Sequence, residues 1–178
     1  MAFHGFRHYL ELGGAADVRL YSDKNLPGWI NDVQASSRLV EMKRSPFADT
    51  RQGVEDVPFG TWDWPIRYAS PERAFLEVTS TVSSTEEVRQ VQIMMEAAAN
   101  LRPALVQSLL QECRQVKAKR LFLWIARQQG HPWYRHIDQA KVDLGSGKRQ
   151  LVKGGVLDNE FLITVPRKDE DGQTELVF

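Results

Sequence analysis

Two segments near the start of the chain alternate between polar and apolar residues, which is the pattern of a strand that buries one face. These segments are Asp17–Tyr21 and Ser37–Lys43, and each predicts a β-strand. Between them, Leu26–Gly28 is a turn signal because it contains Pro-Gly. The apolar residues after this turn have the spacing of one or two helical turns.

The alternation of polar and apolar residues is interrupted after Lys43 and resumes before residue 70. Residues 45–58 are polar and contain two prolines and one glycine, so we expect a loop there. Residues 61–68 alternate again, and Pro65 favours a position at the edge of a sheet. Residues 1–69 are therefore predicted to be rich in β-structure.

Signals for helices begin at Ser70. Residues 70–72 supply a capping hydroxyl, a proline at the first helical position and a carboxylate in the first turn, which predict a helix through about Thr79. Residues 84–87 match a capping box and open a second helix, through about Ala99. A third helix begins at Pro103, with an apolar stripe at helical spacing. The stripe consists of Leu105, Val106, Leu109, Leu110 and Cys113.

A charge argument separates a fourth helix from the third. In one straight helix, Lys117 and Arg120 would lie in the middle of the apolar stripe, and burying two unpaired cations would cost several kcal/mol each. We therefore expect a break near residues 115–118. A separate helix should run from about Ala118 to Gln129, with Gly130 as its C-terminal cap.

The remaining segments complete the predicted fold. Residues 121–126 are apolar on every side, so most of the fourth helix should be buried, although a short strand is the competing interpretation. Glycines at 145–147 and 154–155 signal tight turns around Arg149–Lys153, and Phe161–Val165 is a further strand.

The predicted fold class is α+β, in a single domain of residues 1–166. Its parts are a β-rich segment (1–69), a helical segment of about four helices (70–130) and a closing β-hairpin or sheet (138–166). Residues 167–178 form an acidic tail that we expect to be flexible.

Composition narrows the class of protein. The chain has 178 residues, of which 42% are hydrophobic and 26% charged, which is typical of a globular domain with a real core. It has no apolar stretch of about 18 residues and no signal-peptide pattern, so no membrane association is predicted. The lone Cys113 indicates a reducing compartment, and we expect a cytoplasmic protein. The position of Cys113 in the apolar stripe predicts a buried packing role.

Overall neutrality hides an uneven distribution of charge. Residues 1–100 carry 10 basic and 14 acidic side chains, residues 101–153 carry 11 and 3, and residues 154–178 carry 2 and 6. Positive charge concentrated in one segment favours phosphates or an acidic protein surface as a partner. The alternative is that these cations pair with the two acidic flanks in the folded protein.

The sequence contains no recognisable motif for catalysis or for a cofactor. A Walker A loop is rejected because its first glycine and its hydroxyl residue are missing. The histidine pairs His4/His8 and His131/His136 match no metal-binding pattern, and no serine lies in a Gly-x-Ser-x-Gly elbow. We therefore predict no enzyme activity, no metal, no cofactor and no small-molecule substrate.

Basic residues of the third and fourth helices and of the closing sheet are the candidate binding residues. They match no base-reading motif, so contacts to a phosphate backbone or to a partner protein are the expected role. The candidates are Arg114, Lys117, Lys119, Arg120, Arg127, Lys148, Arg149 and Lys153. Leu123 and Trp124 share a side of the fourth helix with two of these arginines; we interpret them as core residues, with a contact stripe as the alternative.

Several motifs, in one order, resemble the C-terminal domain of AbiE-type antitoxins. Similarity before residue 70 is looser and rests on Gly5–Leu10 and Leu26–Trp29. The stronger motifs are Ser70–Ala74, Leu101–Trp124, Gly130–Trp133, Val142–Arg149, Val152–Gly155 and Ile163–Pro166.

This resemblance implies a non-enzymatic bacterial antitoxin of a type IV (AbiEi) toxin–antitoxin system, active in abortive infection and transcriptional regulation. Such antitoxins usually carry an N-terminal winged helix that binds the operator of their own operon. Their second domain counteracts a nucleotidyltransferase-like toxin and assists cooperative DNA binding. The chain begins where the second domain would, so we expect no winged helix in it, and autonomous sequence-specific repression is not expected of this chain alone. Either the sequence is a truncated piece of a longer protein, or it is a natural variant that acts without the winged helix. The implied partners are operator DNA and the toxin. The alternative is a nucleic-acid-binding regulator module without antitoxin activity.

Overall fold

A computed structural model of the chain describes residues 16–22, 24–32, 37–47, 51–58, 61 and 64–167. Strands precede and follow a block of four helices, so the predicted α+β class is confirmed. In chain order the elements are β1 (Ala16–Tyr21), β2 (Ser37–Met42), β3 (Val54–Pro58), β4 (Pro65–Ala69), α1 (Pro71–Thr81), α2 (Thr85–Glu96), α3 (Pro103–Glu112), α4 (Val116–Gln129), β5 (Arg149–Gln150), β6 (Val156–Asp158) and β7 (Ile163–Val165), with 3₁₀ turns at Gly28–Asp32, Pro132–His136 and Gln139–Lys141. The predicted flexible tail beyond residue 167, His4, His8 and the Gly5–Leu10 motif lie outside the described residues.

The helix boundaries follow the capping residues of the sequence. The Ser70 hydroxyl accepts a hydrogen bond from the backbone N–H of Arg73 at the start of α1. Ser84 and Glu87 form both hydrogen bonds of a capping box at the start of α2. Gly130 ends α4 in the left-handed conformation, with φ of 64°, which a residue without a side chain adopts at no steric cost.

The predicted break between the third and fourth helices is confirmed. Helix α3 ends at Glu112 and α4 begins at Val116. The linker is fixed by the N-terminal part of the chain, because Cys113 forms a β-bridge with Phe47 and the N–H of Arg114 donates to the Pro46 carbonyl over 2.8 Å. The helices are thus separated by a packed linker.

The strands form three small sheets. β1 and β2 are parallel, with Ala16 opposite Ser37, and β3 and β4 are antiparallel. In the closing sheet β7 lies between β5, to which it is parallel, and β6, to which it is antiparallel. The closing sheet is therefore confirmed, and its antiparallel hairpin is β6–β7.

One local prediction was wrong in this region. Residues 45–58 were expected to form a loop, but Val54–Pro58 is strand β3. Its polar and apolar residues do not alternate, and all five side chains of its partner strand β4 are intermediate or exposed. The pairing of Val54 with Ala69 and of Pro58 with Pro65 makes this segment a strand, and no local pattern encodes such a pairing.

Helix α4 forms the centre of the core. It packs against α1, α2 and β7, and every side chain of Leu121–Ala126 is buried. This segment is helical, so the competing strand interpretation is wrong. Leu123 and Trp124 are 0% and 5% exposed, which confirms them as core residues. Burial of each large apolar side chain contributes about 1.5–3 kcal/mol.

A buried carboxylate connects the helices to the second sheet. The Glu72 side chain, 2% exposed, accepts hydrogen bonds from the backbone N–H, Nε and Nη2 of Arg102 over 2.8, 3.0 and 2.9 Å. Arg102 Nη2 also donates to Glu55 of β3 over 3.0 Å. Burial raises the pKa of Glu72, but the hydrogen bonds from Arg102 outweigh it and bring the pKa from 4.5 to about 2.

The substitution Glu72→Gln should reduce the free energy of unfolding at pH 7 by about 2 kcal/mol. Because the folded pKa of Glu72 lies below its ordinary value, its contribution is complete above pH 4.5 and is lost as the pH falls towards 2. Urea unfolding at pH 7 and pH 3 should therefore show a smaller difference between wild type and variant at pH 3. Glu55→Gln, at the more exposed pair, is the matched control and should change stability by less than about 1 kcal/mol. A difference for Glu72→Gln that does not depend on pH would contradict this assignment.

Candidate functional site

Four of the eight candidate cations are exposed, and the other four are buried or bound by other groups of the chain. The exposed residues are Arg114, Lys148, Arg149 and Lys153. The engaged residues are Lys117, Lys119, Arg120 and Arg127. The structure therefore narrows the candidate binding surface to half of the residues expected from the sequence.

Arg120 lies in the interior and is not a surface residue. It is 1% exposed. Its guanidinium donates from Nε to the Leu144 carbonyl (2.8 Å), from Nη1 to those of Gly147 (2.7 Å) and Leu162 (3.1 Å), and from Nη2 to that of Gly145 (3.1 Å). Burial lowers the pKa of Arg120 from its ordinary value. A contact role for Arg120 is thus corrected to an internal one.

The two lysines beside Arg120 are also held by the fold. Lys119 is 3% exposed, so it is removed from the candidate surface. Lys117 Nζ donates to the carbonyl of Val82, at the end of α1, over 2.6 Å. The start of α4 is therefore fastened to the α1–α2 junction.

Arg127 is neutralised at the other end of α4. Its guanidinium forms ion pairs with Asp158, over 2.6 Å, and with Glu160, and its Cζ lies 5.0 Å from the centre of the Phe161 ring. Burial lowers the pKa of Arg127, but the hydrogen bonds that it donates to both carboxylates raise it above its ordinary value. The sequence left open the alternative that cations of the basic segment pair with the acidic C-terminal flank. At Arg127 the structure shows this pairing.

The exposed cations gather around the N-terminal end of α4. Arg114 lies in the linker immediately before Val116. The loop that carries Lys148 and Arg149 packs on the same point, since a Cβ added to Gly145 would lie 3.1 Å from Val116 Cγ2. Three of the four exposed cations are thus placed by the first turn of α4 and its linker.

Lys153 lies on the same side of the molecule as the N-terminal end of α4, next to the junction between α1 and α2. Three residues after Val82, which accepts the Lys117 hydrogen bond, Thr85 begins α2. Thr85 lines a depression together with Lys153 and Arg167. We name this surface the basic end, and within the described part of the chain none of its members forms an ion pair with a carboxylate. The basic end consists of Arg114, Lys148, Arg149, Lys153 and Arg167.

The described residues form no metal site. No group of three or more His, Cys, Asp or Glu side chains in this part of the chain could hold a metal ion. His131 Nε2 lies 2.7 Å from the Met95 carbonyl, and its ring stacks on Trp133 at 6.1 Å between centres. His131 therefore has a packing role between α2 and the turn after α4.

Cys113 is a buried thiol. It is 2% exposed, and its Sγ lies 3.8 Å from the Gln115 carbonyl. Burial raises the pKa of Cys113 above its ordinary value, so the thiolate is disfavoured. The packing role expected from its place in the apolar stripe is confirmed.

The fold and the basic end describe an α+β protein with exposed positive charge at one end of its central helix. A family model for transcriptional regulators that are AbiEi antitoxins of type IV toxin–antitoxin systems matches residues 15–166. The chain therefore belongs to the AbiEi antitoxin family, and the resemblance seen in the sequence is confirmed. Searches of curated proteins and of solved structures found no match. Among the helices of the described residues, none combines the length and apolar character needed to cross a membrane.

Sequence reasoning missed two features of this site. Arg167 was assigned to the tail, although it lines the depression beside Lys153. The glycines Gly145 and Gly147 were interpreted only as turn residues, although their carbonyls bind Arg120. The available signal was the run Gly-Ser-Gly-Lys-Arg at 145–149, in which two cations directly follow a flexible turn.

The buried state of Cys113 predicts slow reaction with a thiol reagent such as DTNB. In native buffer Cys113 should react about a thousandfold or more slower than in urea, because the reagent reaches it only when the core opens. Ser146→Cys in a Cys113→Ser background is the matched control, because residue 146 is exposed and its thiol should react at once. Fast reaction of native Cys113 would contradict its placement in the core.

Proposed function

We propose that this AbiEi family member counteracts a nucleotidyltransferase-like toxin, and that its basic end assists the binding of operator DNA. Membership of an antitoxin and regulator family supports the first part. The observation that carries the second part is a set of exposed cations, at one end of α4, without ion pairs among the described residues.

The distribution of neutralised and free charge supports a directional contact. At the C-terminal end of α4, Arg127 is compensated by Asp158 and Glu160. At the N-terminal end, Lys148, Arg149 and Lys153 are exposed and form no ion pair with a carboxylate of the described residues. A polyanion is therefore attracted to the basic end and not to the opposite end. A duplex offers a row of phosphates, and each neutralised phosphate releases counterions, which favours association.

The same surface also suits a nucleic-acid-binding regulator module that has no antitoxin activity. Both functions use phosphate contacts, so DNA binding alone does not separate them. Rescue of a host from the toxin does separate the two functions, because only an antitoxin is expected to give it.

Co-expression with the nucleotidyltransferase-like toxin encoded beside this chain should restore growth of a bacterial host. The measurement is colony formation with the toxin induced, with and without this chain, at expression levels verified by immunoblot. A variant with the core substitution Phe122→Asp is the negative control, because Phe122 is fully buried and a charge there prevents folding. Growth that stays arrested beside folded wild-type chain would sink the antitoxin proposal.

DNA binding should depend strongly on salt. The logarithm of the association constant for a duplex from the promoter of the same operon should fall linearly with the logarithm of salt concentration, with a slope of about −0.9 for each phosphate contacted. Lys148→Gln and Arg149→Gln should each weaken binding and reduce the magnitude of this slope by about 1. Arg135→Gln is the matched control, because Arg135 is exposed but lies on the 3₁₀ turn after α4. Equal effects of all three substitutions would show that net charge, and not the basic end, determines binding.

A further inference from the structure

Arg120 is a cation in an unfavourable place. It lies in the second turn of α4, near the positive end of the helix dipole. It is 1% exposed, and its guanidinium forms no ion pair with a carboxylate in the described part of the chain. Its burial is offset instead by four backbone carbonyls, three of them from residues 144–147. The shape of this loop and the burial of Arg120 therefore depend on each other.

The inward carbonyls determine where the next amides point. All peptide bonds of the described residues are trans, and in a trans peptide the C=O and the following N–H point in opposite directions. Because the carbonyls of Gly145 and Gly147 face Arg120, the N–H groups of Ser146 and Lys148 face away from it. Both residues are exposed, so these two amides point towards solvent.

One amide of the loop, that of Gly145, already has an anionic acceptor. The Leu144 carbonyl also faces Arg120, so the N–H of Gly145 points outward, and the Asp143 carboxylate accepts from it over 2.8 Å. Asp143 is the carboxylate nearest in sequence to the loop. The amides of Ser146 and Lys148 have no acceptor among the described residues.

Two glycines give the loop a backbone conformation of the kind found in anion-binding turns. Gly145 and Gly147 both have positive φ, 59° and 74°, and successive N–H groups in such turns converge on one side. The end of the loop is fixed, because the N–H of Arg149 donates to the Leu162 carbonyl over 2.8 Å. The side chains of Lys148 and Arg149 are exposed beside these amides and add positive charge.

We propose that the loop of residues 145–149 binds a phosphate group of a nucleic acid strand through the amides of Ser146 and Lys148 and the side chains of Lys148 and Arg149. Arg120 is the positioning residue of this site: it holds the carbonyls inward and makes no contact with the phosphate itself. This inference rests on the proposed DNA binding of the chain and specifies which groups carry it.

The first test uses ¹⁵N-labelled wild-type chain titrated with a short duplex. The amide resonances of Ser146 and Lys148 should shift on binding, whereas that of Gly130, at the far end of α4, should not. Inorganic phosphate at matched ionic strength distinguishes the source of the phosphate. A response of these amides to inorganic phosphate without a response to the duplex would overturn the assignment to nucleic acid.

The second test uses two substitutions, one at the residue that binds the loop carbonyls and one in the loop itself. Arg120→Met removes the guanidinium and should weaken duplex binding about tenfold, the effect of losing a hydrogen bond to a charged group. Gly147→Ala strains the loop at positive φ without a close steric contact and should weaken binding in the same direction. Gly130→Ala, also at positive φ and in open space, is the matched control and should leave binding unchanged.

These outcomes separate this inference from the proposed function. Wild-type binding that is weakened by Lys148→Gln but not by Arg120→Met or Gly147→Ala would overturn the role of the loop and leave the proposed function standing. Absence of duplex binding by the wild-type chain would overturn both. If Arg120→Met does not fold, as circular dichroism would show, then Gly147→Ala and the wild-type amide shifts decide.

Discussion

The burial of helix α4 on every side is the constraint on which the rest of the structure depends. Its residues Leu121–Ala126 are all buried, between α1, α2 and β7. A helix of 14 residues is about 20 Å long, so a central apolar segment leaves only its two ends for charged side chains. The neighbouring loops and strands must therefore accommodate Lys117, Lys119 and Arg120 at one end and Arg127 at the other.

The two ends of α4 accommodate cations by different means, with different electrostatic results. Carboxylates of Asp158 and Glu160 cancel the charge of Arg127. Carbonyls bind Arg120, and their dipoles stabilise the guanidinium without changing the net charge. Positive charge is thus retained beneath the exposed Lys148 and Arg149, and it adds to the field at the surface because it is screened less than an exposed charge.

Local signals predicted much of the helical segment, and non-local pairing accounts for what was missed. Capping residues and apolar spacing located the four helices and the break before Val116. Strand β3 was missed because its pairing with β4 has no local signature. Arg120 was expected at the surface because burying an unpaired cation is costly, but it is buried, and its carbonyl acceptors lie 24 to 42 residues further along the chain. No local sequence pattern predicts that the carbonyls of a distant loop will bind one guanidinium.

A buried cation bound only by carbonyls has consequences for function as well as for stability. An apolar side chain at position 120 would suit the core better, since transferring a guanidinium from water is costly. It would, however, leave the loop carbonyls free to turn outward, and the amides of Ser146 and Lys148 would then turn inward. In the present arrangement, N–H groups and cations lie on the same surface. At the opposite end of α4, Asp158 and Glu160 neutralise the charge of Arg127. In the proposed function, this asymmetry favours contact of an anionic partner with the basic end over contact with the opposite end of α4.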